Sequence, residues 1–172
     1  MKKLMLLAAL SLLALPAVAG EHPLKTPSGW FDMENCVFCR NLVADPQLLP
    51  HSQWETLPTA DGLAFVMAVQ PEYMGSLKKA SAAMEATGAK LHSGELKMTD
   101  VKMCGFCTAY GELMMGGVQF ETVRGDVTEV SFARSSDPKM VEKMHAIAKR
   151  NKEEMAILMG AAGADPHAGH KH

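Results

Sequence analysis

Cys36-Val37-Phe38-Cys39 recurs as Cys104-Gly105-Phe106-Cys107, 68 positions later. No other feature narrows the fold as much, because further matches follow in the same order. Trp54-Glu55-Thr56-Leu57 answers to Phe120-Glu121-Thr122-Val123, Phe65 to Phe132 and Pro71 to Pro138, at offsets of 66 and 67. A period of this size with small drifts between matches is the mark of a duplicated unit with altered loops. Two copies are too few for a solenoid, so the halves must share one core.

Each copy reads as α-β-β-α. A short helix is expected after each CxxC, over 40–44 and 108–115, with Gly116-Gly117 closing the second. Two β-rich runs follow in each copy: 53–57 and 63–69 around a longer loop at 58–62, then 118–123 and 127–132 around a Gly-bearing turn at 124–126. A second helix then starts near Pro71 and, behind an Asp137 cap, at Pro138. Met140, Val141, Met144, Ile147 and Ala148 keep helical spacing; Met74, Leu77, Lys78, Ser81 and Met84 do so less cleanly. The expected fold class is α+β: a tandem αββα duplication forming one pseudo-twofold, four-stranded antiparallel sheet with helices packed on it. Residues 88–102 read as the linker, in which Leu96, Met98 and Val101 could add a short strand.

The organisation expected along the chain is a leader over 1–19, one domain over 20–160 and a flexible tail over 161–172. The repeats span about 33–87 and about 101–159. Lys2 and Lys3, an apolar run ending at Pro16 and the small-x-small Ala17-Val18-Ala19 form a signal-peptide pattern, with cleavage after Ala19. This places the mature protein in the periplasm or outside the cell, without a membrane span. There, unprotected thiols meet oxidants.

Seventeen basic residues against 19 acidic give a net charge of −2, which disfavours nucleic acid as a partner. No nucleophile elbow, phosphate loop, dinucleotide fingerprint or HExxH motif occurs, so no catalytic residue is assigned. Arg40 and Thr108 stand where a haem-attachment motif needs His.

Two CxxC pairs are the ligand set of a four-cysteine tetrahedral site, suited to zinc or, through soft sulfur, to copper. Residues i and i+3 at a helix entry share a face, and the helix N-terminus favours thiolate. Cys36, Cys39, Cys104 and Cys107 are therefore the primary candidate ligands. The 64 residues between Cys39 and Cys104 exceed a zinc-ribbon spacing, so convergence depends on tertiary packing. Met33 and Met103, close before their pairs, are secondary candidates. So is His22, third in the expected mature chain, where an amine, two amides and an imidazole would wrap copper or nickel. His167, His170 and His172 form a short metal-binding-type tract.

The ordinary accounts of the remaining residues are structural. Met140, Met144, Met155 and Met159 fill a helix core, and His145 sits hydrogen-bonded at its edge. Glu55 and Glu121 point to solvent or face one another near the axis.

The expected function is binding of copper or zinc for trafficking or buffering. The metal ion and another exported or membrane metal-handling protein are the expected partners. Cys104-Gly105-Phe106-Cys107 also resembles the active-site tetrapeptide of thioredoxin-like proteins, across those four residues. That resemblance implies a thiol–disulfide protein. A non-catalytic binding module with structural disulfides is the third reading, and sequence leaves the pairing of four cysteines open.

Overall fold

The structure is a computed structural model and describes residues 24–158. Two hairpins form its centre. In the first, β1 (Ser52–Thr59) pairs with β2 (Gly62–Val69). In the second, β3 (Gln119–Arg124) pairs with β4 (Thr128–Arg134). They join through β2 and β4 into one antiparallel sheet of order β1-β2-β4-β3, with Val66 opposite Val130. β2 brings Phe65, Val66 and Val69 and β4 brings Thr128, Val130 and Phe132, β-branched and aromatic residues that suit a pleated, packed surface.

Alternation along the strands assigns the faces. Trp54, Thr56, Leu63, Phe65, Met67, Phe120, Glu129, Ser131 and Ala133 share one face by register. The three α-helices among the described residues meet the sheet there. Leu77 of α1 (Met74–Ser93) packs in a cluster with Trp54, Met67 and Val69, and Ser81 of the same helix bonds Glu129. Phe106 and Tyr110 of α2 (Gly105–Met115) lie against Phe65. Asn151 of α3 (Pro138–Leu158) donates to Thr56 at 3.1 Å. The main core holds Leu63, Leu113, Ala133 and Met144, each fully buried, and all four cysteines border or belong to it.

The caps match the sequence reading. Asp137 accepts the Lys139 N–H at 2.9 Å, and Gly117, at φ 79°, ends α2 in the left-handed region. The α+β class and the single four-stranded sheet are present as expected.

Several local expectations are corrected. The helix expected over 40–44 is only a 3₁₀ turn, Cys39–Asn41, because the Asn41 amide takes the Val37 and Phe38 carbonyls. Such side-chain bonding offers the backbone an alternative to the α-helix. The element order is thus ββα followed by αββα. The loop expected at 58–62 is a two-residue turn, with Thr59 opposite Gly62. Pro58 is accommodated inside β1 because β1 is an edge strand.

Phe65 and Phe132 are not equivalent. Phe65 pairs with Ser131 and Phe132 with Ala64, so the two rings lie on opposite faces. Glu55 and Glu121 sit exposed on the two outer strands and do not meet. Helix α1 runs on to Ser93, where Gly94 at φ 77° stops it. The strand expected from Leu96, Met98 and Val101 is instead a 3₁₀ turn, Met98–Asp100.

Candidate metal centre

The first half of the site is an irregular segment tied by one buried acid. Asp32 is 3% exposed. Its Oδ1 accepts the Asn35 backbone N–H at 3.0 Å and the Asn35 amide at 2.8 Å. Its Oδ2 faces Lys102 Nζ at 3.2 Å and Lys25 Nζ at 3.6 Å. The Asn35 bond, assisted by Lys102, holds the Asp32 carboxyl at about 2. The Asp32 carbonyl accepts the Cys36 N–H at 3.1 Å, so this acid shapes the turn that delivers Cys36.

The second half is a helix entry. Cys104 caps α2 in extended conformation and Cys107 lies one turn on. The first N–H groups of a helix lack intrahelical partners. Here Gly105 N–H donates to Gly29 O at 3.1 Å and Phe106 N–H to Trp30 O at 2.9 Å. Val37 N–H donates to Lys102 O at 2.9 Å. Three backbone bonds thus stitch the two motifs together. Gly105 permits this approach, because a Cβ there would lie 2.9 Å from Trp30 Cε3 and 3.2 Å from Trp30 Cα.

The four Sγ atoms all lie within 4.8 Å of one another. Cys39 Sγ is 3.5 Å from Cys107 Sγ and 3.7 Å from Cys104 Sγ. A disulfide needs about 2.05 Å, so these are free thiols. A tetrahedral ion with sulfur ligands at about 2.3 Å would set them roughly 3.8 Å apart. The two cross-motif approaches match that spacing. Cys36, Cys39 and Cys104 are buried and Cys107 is partly exposed.

Both motifs fold as the same small knuckle. Arg40 N–H reaches Cys36 O and Thr108 N–H reaches Cys104 O, each at 3.0 Å. The neighbouring thiols, Cys104 first and then Cys107 and Cys39, lower Cys36 below the ordinary thiol range. Donation from Cys107 first, then Cys39, lowers Cys104 to about 7. The nearness of Cys104 is the main reason that Cys39 and Cys107 shift the other way, upward. Four sulfurs this close share protons, and a cation would replace those protons.

An aromatic wall closes the site. Phe106, inside the second motif, packs on Trp30, Phe31, Phe65 and Tyr110 with centroids 5.6–6.3 Å apart. Burial pushes the Tyr110 phenol up to about 12. Trp30 is pinned from α3: Nε1 donates to Asn151 Oδ1 at 2.6 Å, and the Arg150 guanidinium sits 4.1 Å over its ring.

Of the secondary candidates, Met33 is buried at 1% in the same core cluster, and Met103 is half-buried beside Cys104. The leader, the tail, His22, His167, His170 and His172 lie outside the described residues. His145 is exposed and bonds Thr59 O at 2.9 Å, and His51 stacks on Tyr73. Asp32, Gly105, Trp30 and Asn151 support the site without having been singled out. Asp32-x-x-Asn35 just before a CxxC is a readable turn signal. Nothing in the sequence marks Asn151 as a partner of Trp30.

No family model matches the chain, and no curated protein or solved structure matches it.

Proposed function

We propose that the protein binds one soft or borderline transition metal ion, copper or zinc, between its two CxxC motifs, for trafficking or buffering outside the cytoplasm. One observation carries the reading: four sulfurs from motifs 64 residues apart lie within 4.8 Å of one another. Two prefolded knuckles supply four ligands, and thiolate character suits zinc and Cu(I). A bound ion would satisfy charge that the buried cysteines otherwise share among themselves. The leader pattern of residues 1–19 supports export, and a partner that donates or accepts the ion would be another exported or membrane metal-handling protein. His22 and the histidines of the tail would collect ions at lower affinity, and the matched motifs support descent from a duplicated αββα unit. A thiol–disulfide enzyme is a weaker reading, because three of the four cysteines are buried from a protein substrate.

The test is metal analysis and thiol titration of untagged protein isolated from the periplasm. About one ion per chain is expected, with four thiols reacting freely only after chelation. Absence of metal, together with no uptake of Zn²⁺ or Cu(I) by the reduced protein, would sink the proposal.

A further inference from the structure

Two short sulfur approaches cross between the motifs, at 3.5 Å for Cys39–Cys107 and 3.7 Å for Cys39–Cys104. A disulfide between Cys39 and Cys107 needs the sulfurs to close by roughly 1.5 Å. The two sides can share that movement unequally. Cys107 is fixed on an α-helix, whereas Cys39 opens a three-residue 3₁₀ turn in a segment without other regular structure nearby. The cross-motif bond is therefore within reach of the fold as it stands.

We propose that the cluster is a redox-gated site: without metal, a small disulfide oxidant joins Cys39 to Cys107, and the joined form cannot take the ion. In the reaction one thiol of the pair gives its proton to water and, as thiolate, attacks the oxidant RSSR, forming a mixed disulfide and releasing RS⁻. The second thiol, deprotonated in the same way, attacks that mixed disulfide at the protein sulfur, closing the Cys39–Cys107 bond and releasing a second RS⁻. The two thiol protons pass through water to the two RS⁻ ions. Two cysteine sulfurs are oxidised and RSSR is reduced to two RSH. The bond removes two of four ligands, and a bound ion in turn removes the thiolates from the oxidant. Metal and oxidant thus compete for the same sulfurs. The gate rests on the proposed metal function; the Cys39–Cys107 linkage rests on the geometry alone.

Trypsin separates the possibilities cleanly. Peptide 26–40 carries only Cys36 and Cys39, and peptide 103–124 only Cys104 and Cys107. Reduced, metal-free full-length protein is treated with oxidised glutathione, alkylated and digested without reductant. The expected product is peptides 26–40 and 103–124 joined, with fragmentation placing the bond between Cys39 and Cys107. A Cys36→Ser/Cys104→Ser variant is expected to close the same bond. Two separate peptides, each lighter by two hydrogens, would overturn the linkage, and so would four unreacted thiols. Zinc at 100 times its Kd is expected to slow cross-linking about 100-fold. Unchanged oxidation with zinc bound, or zinc uptake by the cross-linked form, would overturn the gate. Reduced protein is assayed for zinc separately. If it takes none while the cross-link still forms, the metal reading and its gate fall and the linkage stands.

Discussion

Replacing Gly105 by Ala tests whether the site is two halves held in contact. Local preference favours the change. Ala exceeds Gly in a helix by about 0.8–1 kcal/mol, and Gly105 is the first residue of α2. Packing opposes it, since the new Cβ would lie 2.9 Å from Trp30 Cε3 and 3.2 Å from Trp30 Cα. Neither atom yields easily. The ring is held by Asn151 and Arg150, and the Cα belongs to the strap whose carbonyl accepts the Phe106 N–H. Overpacking of this kind costs about 1–3 kcal/mol, and two backbone bonds weakened by the shift are each worth about 0.5–1.5 kcal/mol. The sum exceeds the helix gain, leaving a net destabilisation of roughly 1–3 kcal/mol. Part of that cost must be met again when the ion draws the motifs together, so zinc affinity falls about 10- to 100-fold. Urea unfolding of the reduced protein reads the first effect as a lower midpoint at constant slope. Competition against a chromophoric chelator reads the second. A Gly105→Ala protein of equal or greater stability, with unchanged zinc affinity, would refute the close-approach argument.

Single replacements of Cys36, Cys39, Cys104 or Cys107 by Ser are each expected to weaken zinc binding by more than the roughly 10–100-fold typical of outer-shell losses, read in the same competition assay. Asp32→Asn tests the buried acid through pH. The carboxyl is held at about 2, below its unfolded value, so its contribution is complete above pH 4 and is lost as pH falls towards 2. The reduced wild type should lose about 2 kcal/mol across that window that Asp32→Asn does not lose, measured by denaturation at each pH. Asn151→Ala removes the acceptor of Trp30 Nε1 and the donor to Thr56, with an expected cost of about 1–3 kcal/mol. Thermal or urea unfolding reads it, and an unchanged midpoint would deny Trp30 its anchoring role. Asp137→Ala removes the cap bond to Lys139 N–H and should cost about 1 kcal/mol, seen as a lower urea midpoint.

The sequence alone determined what local physics determines. Gly-bearing turns and β-branched runs marked both hairpins, Asp137 and Pro138 marked the start of α3, and Gly116-Gly117 marked the end of α2. The cysteines were legible as paired ligands because the i, i+3 spacing is itself a local geometry. Strand register was not legible. Phe65 and Phe132 match in sequence, yet one residue of offset puts them on opposite faces. The stop at Cys39–Asn41 was equally hidden, since the Asn41 amide competes with a helix by bonds that no spacing rule announces.

Only tertiary structure decided whether the two CxxC motifs meet. Convergence across 64 residues depends on the 29–37 segment lying against the entry of α2, through bonds from Gly105 and Phe106 to Gly29 and Trp30 and from Val37 to Lys102. That docking depends in turn on Trp30 finding Asn151 on α3. Spacing reports which sulfurs share a turn. Packing between distant segments decides which four share a point.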